Sequence, residues 1–196
     1  MAEKYTDEII KIEWDMFDKV NNEGGRASCQ DDWRTFYIMR SAQFDAWNEA
    51  MRESYLADLN NALASDRNLL TEKYAYMTGY KYMGETDNLE NKQQLIMIVM
   101  EQMLADTIAM REKYPKISAA SRPYGTSDGG MVSVDTYLMC EIMTYSAATL
   151  EQFALYLVEL KEQGKSLPMM ILENTVEQLG YENLDAAEER YGRAGF

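Results

Sequence analysis

The sequence predicts an all-α, single-domain bundle of six or seven helices. Apolar residues recur at spacings of three and four along most of the chain, and no convincing period-two pattern of a strand appears. Glycine (11) and proline (3) are scarce, so few residues interrupt long helices. Because 46% of the 196 residues are hydrophobic and this length buries a sizeable core, we expect one domain over residues 1–196.

The individual elements follow from apolar spacing and from residues that start or stop helices. The first helix covers residues 7–21 and ends before Gly24 and Gly25, because glycine accepts the left-handed conformation that follows a helix. A long second helix, or two nearly continuous ones, runs to about Leu63, with Ser28 as N-cap and Asp31 as its capping-box partner. The further elements are a helix over 65–82, a break at Gly84, a central helix over 89–113, a long irregular loop over 115–132, a helix over 133–163, short helices over 168–179 and 184–191, and a frayed tail over 193–196.

The net charge of −14 limits the classes of molecule that the protein is expected to bind. An acidic surface repels phosphate backbones and anionic lipid, so we expect neither a nucleic-acid nor a membrane partner. Residues 1–10 lack the pattern of a signal peptide, and the longest aliphatic run, 95–100, is too short to span a bilayer. Two cysteines, Cys29 and Cys140, make no disulfide framework, which favours a cytoplasmic location.

The chain contains no histidine, and this absence excludes several classes of site. Ser-His-Asp and Cys-His catalysis, histidine zinc sites and the Glu-x-x-His sites of di-iron bundles all need that residue. Any chemistry would therefore use carboxylates, Arg, Lys, Tyr and Cys. A hard divalent metal held by carboxylate oxygens stays compatible with the composition.

A first polar block, residues 24–32, lies where a helix should begin. Exposed amides there, together with a guanidinium, would hold a carboxylate or phosphate, with nearby acids as base, acid or metal ligands. The alternative is a tight turn between helices with a capping box and a buried cysteine. The candidate site residues of this block are Arg26, Cys29, Gln30, Asp31 and Asp32.

A second block, residues 67–76, places Glu72 one helical turn from Asn68 and Tyr76. Glu72 as base with Tyr76 as acid is chemically plausible, and Asn68 and Lys73 would bind substrate. The alternative is a solvated helix face beside an aromatic core stripe.

A third block, residues 135–146, places the carboxylate of Glu141 within a strongly apolar helix. Glu141 shares a stripe with Tyr137 and Tyr145, so it needs a cation, which Arg26, Arg40 or Arg122 would supply. Tyr145 and Arg122 are candidate ligand-binding residues, and Glu13 of the first helix could join the same site. A buried ion pair with a purely structural role is the alternative.

Together these blocks resemble a bacterial family, domain of unknown function 4125. The most specific parts are residues 24–32 (GGRASCQDD) and 68–74 (NLLTEKY), and the similarity extends over most of the chain. The third block of that family has Arg-Gly where this chain has Met139-Cys140, which would alter an anion site there. The resemblance implies a small cytosolic helical protein and implies no reaction, substrate or catalytic residue.

Three functional hypotheses remain open. The leading one is an enzyme that acts on a small polar or anionic metabolite between helices, anchored by Arg26 with help from Arg122. The second is a binding or accessory module without chemistry, and the third is a carboxylate metal protein. The third requires three of these residues to converge: Glu13, Asp31, Asp32, Glu72 and Glu141. A small-molecule ligand is the expected partner, and a homo-oligomer is compatible with an apolar helical surface.

Overall fold

The fold is helical, as expected. A computed structural model describes residues 2–21, 24–79, 89–126 and 131–194, and these ranges contain helices and connections without a strand. The expected number of six or seven helices is too low, because the described ranges hold ten α-helices and one 3-10 turn. The α-helices are α1 (Ala2–Asp18), α2 (Trp33–Asp45), α3 (Glu49–Ala64), α4 (Leu69–Met77), α5 (Leu89–Lys113), α6 (Pro115–Ala119), α7 (Val134–Ile142), α8 (Ala147–Glu162), α9 (Leu167–Gln178) and α10 (Leu184–Ala194), and the 3-10 turn is Ser28–Asp31.

Two expected long helices are each divided by a side-chain cap. The Asn48 side chain accepts a hydrogen bond from the Met51 amide at 2.9 Å, so a new helix starts there without glycine or proline. In the same way, the Ser146 hydroxyl accepts from the Thr149 amide at 3.2 Å and starts α8. Of the two alternatives for the second helix, that of two nearly continuous helices is therefore confirmed. The single helix expected over 133–163 was wrong, because Ser146, which the apolar spacing places inside that helix, is a cap.

Other boundaries also differ from the expectation. The helix expected over 65–82 starts later, at Leu69, because the Asn68 side chain accepts from the Thr71 amide at 2.9 Å. The expected loop over 115–132 begins with α6, whose first free amides, those of Lys116 and Ile117, donate to the Glu188 carboxylate. Residues 193 and 194, expected in a frayed tail, belong to α10. The expected break at Gly84 and the glycines at 129 and 130 lie outside the described residues.

Two apolar clusters support the fold. The larger joins the five helices α1 to α5 with α7, α8 and α9, and its fully buried members include Ile9, Phe44, Leu59, Val99 and Leu150. The smaller lies under α6, α9 and α10 around Ile117, Val176 and Ala187. Each large apolar side chain buried in this way stabilises the fold by about 1.5–3 kcal/mol.

The helix α5 has the expected bounds but is not surrounded on all sides. Val99, Met100 and Met103 are buried, whereas Met97 and Ile108 are 62% and 40% exposed. The expectation of a central helix was therefore wrong for one of its faces. Among the described helices, none combines the length and hydropathy required to cross a bilayer.

Candidate functional site

A network of buried charges lies where α1, α2, α4 and α7 meet. It consists of Glu13, Arg40, Glu141 and Lys73, each at most 7% exposed. The Arg40 Nε donates to Glu13 Oε2 at 2.6 Å, and its Nη1 donates to Glu141 Oε1 at 3.1 Å. The Lys73 Nζ donates to Glu141 Oε2 at 2.5 Å. Cations and anions thus alternate through the buried network, from Glu13 to Lys73.

Three neutral side chains complete the hydrogen bonding of the two carboxylates. The Tyr55 hydroxyl donates to Glu13 Oε1 at 2.7 Å. The Gln43 side-chain amide and the Tyr145 hydroxyl donate to Glu141 Oε1 at 2.9 and 3.1 Å. Every carboxylate oxygen of the network therefore accepts at least one hydrogen bond, as buried charges require.

In and beside the buried network, the pKa values of Glu141, Tyr55 and Tyr145 are displaced away from neutral pH. Burial alone would raise the pKa of Glu141, but the charges of Arg40 and Lys73 outweigh it and hold that pKa well below its usual range. Burial raises the pKa of the Tyr55 and Tyr145 phenols well above their usual value. Glu141 is therefore a permanent counterion, which argues against its expected role as acid or base.

Three half-buried side chains, those of Tyr74, Arg122 and Tyr137, lie beside the buried Lys73. The Lys73 Nζ lies 3.7 Å from the centroid of the Tyr137 ring, and the Arg122 guanidinium carbon lies 4.2 Å from the same centroid. Tyr74 is half-buried beside them, and burial, together with nearby Tyr137 and Cys29, raises the pKa of its phenol. We call Lys73, Tyr74, Arg122 and Tyr137 the cationic aromatic cluster.

The segment before α7 positions Arg122 in this cluster. The Arg122 Nη1 donates to the Val132 carbonyl at 3.1 Å, and the Val134 amide donates to the Pro123 carbonyl at 2.8 Å. The Arg122 carbonyl in turn accepts from Arg111 Nη1 of α5 at 3.1 Å. Within the described part of the chain, Val132 provides the one acceptor for Arg122, so the other N–H groups of this guanidinium face no protein acceptor there.

The Arg26 side chain is placed differently from the expectation. Its guanidinium is exposed and forms ion pairs with Asp18 Oδ1 at 2.6 Å and Asp31 Oδ1 at 2.9 Å. It also donates to the carbonyls of Asp18 and Gln30. Hydrogen bonds to the two carboxylates raise the pKa of Arg26. Two acids therefore already neutralise the side chain that was expected to anchor an anion.

The rest of the 24–32 block joins the end of α1 to the start of α2. Buried Gln30 accepts from the Ala27 amide at 2.9 Å and donates to the Phe17 and Val20 carbonyls at 2.8 and 3.0 Å. The capping box expected between Ser28 and Asp31 was therefore wrong, because Gln30 performs that role with Ala27. The Asp32 side chain instead caps α2, and this lowers its pKa. Cys29 is exposed, contrary to the buried alternative.

Polar side chains of the second block, residues 67–76, also have partners within the protein. Glu72 is only 1% exposed, so the solvated alternative was wrong, and both its oxygens accept from Arg67, at 2.9 and 2.8 Å. The side-chain Nδ2 of Asn68 donates to the Met16 carbonyl at 2.8 Å, while its Oδ1 caps α4. Tyr76 is half-buried one turn after Glu72. Of this block, Lys73 is the predicted residue that the structure brings to Glu141.

Sequence reasoning missed Gln43 and Tyr55, which bind the carboxylates of the buried network. A polar pair one turn apart on an apolar stripe, Arg40 and Gln43, was the available signal. Tyr55 carried no such signal, because aromatic residues at helical spacing usually belong to a core.

The carboxylates expected to hold a metal ion lie apart in the described residues. Within the described ranges, no three Asp, Glu, Cys or His side chains converge to hold a metal ion, so the carboxylate convergence required above is not met there.

A family model described as "Protein of unknown function (DUF4125)" matches residues 3–189. The chain belongs to this family. The DUF4125 match extends from α1 into α10 and includes the whole buried network, and it confirms the resemblance that the polar blocks indicated. Comparison with curated proteins and with solved structures gives no match.

Proposed function

We propose that the protein binds a small anionic metabolite at the cationic aromatic cluster. The observation that carries this proposal is the stacking of two cations, Lys73 and Arg122, on the single ring of Tyr137. Arg122 is half-buried and has N–H groups without an acceptor among the described residues. A guanidinium fork of this kind pairs well with a carboxylate or phosphate.

The local charge supports an anionic ligand. Arg40, Lys73 and Arg122 are three cations near two carboxylates, those of Glu13 and Glu141, in a protein whose net charge is −14. An excess of positive charge against an acidic background attracts anions to this part of the surface. The phenol rings of Tyr74 and Tyr137 favour a ligand that also carries a planar or apolar group.

Binding explains this site better than acid–base catalysis does. A general acid or base works best when its pKa lies near the operating pH. The shifted groups here move away from neutrality, since the pKa of Glu141 falls and the pKa values of Tyr74, Tyr145 and Cys140 rise. The buried network would therefore hold the cluster in place, and the enzymatic hypothesis stays a prediction.

Titration calorimetry with benzoate, succinate and inorganic phosphate tests the proposal, with neutral benzamide as the matched control ligand. We expect at least one anion to bind while benzamide does not. Because a hydrogen bond to a charged group contributes about 1.5–3 kcal/mol, Arg122→Gln should weaken binding by roughly ten- to a hundredfold.

Arg26→Gln is the matched control variant, since Arg26 is an exposed arginine already paired with Asp18 and Asp31. It should leave the affinity unchanged. The proposal is wrong if no anion binds at millimolar concentration, or if both arginine variants weaken binding equally.

A further inference from the structure

Arg52 of α3 is a buried cation without a carboxylate partner among the described residues. It is 7% exposed, and its Nη1 donates at 3.0 Å to the carbonyl of Phe44 in the last turn of α2. None of the ion pairs within the described ranges includes this arginine. The negative end of the α2 dipole compensates part of its charge, but a buried charge normally also has a counterion.

One edge of the Arg52 guanidinium is left without an acceptor. Its Nε is fully buried and has no hydrogen-bond partner. Its Nη2 has no acceptor in the described part of the chain either, and it is not one of the buried unpartnered atoms, so it reaches the surface. Because buried polar atoms are almost always hydrogen-bonded, this edge has room in its hydrogen bonding for an acceptor from outside the protein.

Two other arginines of this protein show what the same edge holds. Arg40 donates through Nε and Nη2 to the two carboxylate oxygens of Glu13. Arg67 donates through the same two nitrogens to the two oxygens of Glu72, at 2.9 and 2.8 Å. Two parallel hydrogen bonds to one carboxylate are the arrangement that a guanidinium favours. Arg52 presents the same pair of nitrogens without a carboxylate.

The turn between α2 and α3 surrounds this guanidinium with groups that already have partners. The Tyr156 hydroxyl of α8 donates to the Ala46 carbonyl at 2.7 Å. Burial raises the pKa of this phenol and the charge of Glu159 adds to the rise, while the charge of Arg52 opposes it. Glu159 accepts a hydrogen bond from Gln163 at 3.0 Å and forms no ion pair with Arg52. Glu159 is therefore the protein acid to test as a competitor for the free edge.

We propose that the Nε/Nη2 edge of Arg52 binds the carboxylate of a small organic acid. One carboxylate oxygen accepts from Nη2 at the surface, and the other accepts from the buried Nε, as the oxygens of Glu13 do on Arg40. Because the Nε–H is shielded from solvent, binding requires a small displacement of the side chains that cover it, and a small acid requires the least. The site shares no residue with the cationic aromatic cluster and does not depend on the proposed function.

Titration of the full chain with sodium formate, followed by NMR of the arginine Nε–H signals, tests this proposal. Each signal is assigned through the carbons of its own side chain, so no substitution is needed. We expect the Arg52 signal to shift and to saturate with a dissociation constant in the roughly millimolar range, since formate has only three heavy atoms. The Arg40 and Arg67 signals are matched controls and should not move, because Glu13 and Glu72 already occupy the same edge.

Thermal unfolding gives a second readout. In an Arg122→Gln background, which removes the anion contact proposed for the cationic aromatic cluster, formate should raise the Tm more than equimolar chloride does. Adding Arg52→Lys should abolish this difference, because lysine keeps the charge but lacks the two-nitrogen edge. Adding Arg34→Lys instead should preserve it, since Arg34 is an exposed arginine of α2.

Several results would overturn the proposal. The Arg52 signal would not respond to formate, or chloride would shift it equally, if the edge does not bind carboxylates. A shift of this signal in Glu159→Gln without formate, together with no response of the unchanged chain, would show that Glu159 occupies the edge in solution. A formate-dependent rise in Tm that survives Arg52→Lys would place the anion elsewhere. None of these results bears on binding at the cationic aromatic cluster.

Discussion

The Lys73 ammonium of α4 lies 2.5 Å from Glu141 Oε2 of α7, and both side chains are almost completely buried. Glu141 also pairs with Arg40 of α2, which binds Glu13 of α1. Four helices therefore meet through alternating charges. Because the desolvation of a buried charge is expensive, each partner depends on the others for compensation. This dependence makes the buried network testable by single substitutions.

Glu141→Gln should destabilise the protein by about 3–5 kcal/mol, because it leaves the Lys73 ammonium buried without a counterion. Urea unfolding followed by circular dichroism measures the change. Glu189→Gln is the matched control, since Glu189 also pairs with an arginine, Arg193, but both side chains are mostly exposed. An exposed pair of this kind contributes about 0–1 kcal/mol. Similar losses for the two variants would contradict the buried network.

Lys73→Met should cost less than Glu141→Gln. After this change Glu141 keeps Arg40, Gln43 and Tyr145 as partners, and a methionine fills much of the lysine's volume. The double variant Lys73→Met, Glu141→Gln should be more stable than the sum of the single changes implies, by about 0.5–3 kcal/mol, because the two side chains contact each other. A double-mutant cycle in urea measures this coupling. Strict additivity would show that the pair does not interact.

The stability of the folded state should decrease as the pH falls below the ordinary glutamate pKa of 4.5. The folded pKa of Glu141 is lower than its unfolded value, so the unfolded state binds more protons in this range. Stability from Glu141 is thus fully present above the unfolded pKa and is lost as the pH falls toward the folded pKa. Urea unfolding at several pH values should give a shallower acid dependence for Glu141→Gln than for the unchanged chain. Parallel curves would contradict the lowered pKa.

Gln30→Ala should destabilise the protein by about 1–3 kcal/mol, because it leaves the Phe17 and Val20 carbonyls and the Ala27 amide without this partner. Ser28→Ala is the control, since Ser28 is exposed and its turn has no side-chain cap from serine. Thermal unfolding compares the two. If Ser28→Ala were the more damaging change, Ser28 rather than Gln30 would hold the turn.

Part of this organisation was predictable from the sequence. The all-α class and the bounds of α5 follow from apolar spacing. The need of a buried carboxylate for a cation predicts an arginine partner for Glu141, and of the three candidates Arg26, Arg40 and Arg122 the structure shows Arg40. The position of the break at Asn48 and the break at Ser146 were not predictable in this way. The same polar residues occur inside solvated helices, and tertiary packing decides whether they cap.

The candidate site was only partly predictable for a related reason. Arg26 stands in a conspicuous polar block, but its partner Asp18 lies across a turn, and nothing in local spacing reveals that the charge is already neutralised. Lys73 follows Glu72 in the sequence and reads as part of a surface pair. The fold instead turns Glu72 to Arg67 and Lys73 to Glu141. Long-range pairing therefore determines which charged residues remain for a ligand.

The most direct measurement of the central claim is a crystal structure of the full chain soaked with 4-bromobenzoate, whose bromine gives an anomalous signal. The account predicts a carboxylate on the Arg122 guanidinium and a bromophenyl ring beside Tyr74 and Tyr137. The soak should leave no such signal in crystals of Arg122→Gln. A bromine located at Arg26, or no ordered bromine in the unchanged protein, would contradict ligand binding at the cationic aromatic cluster.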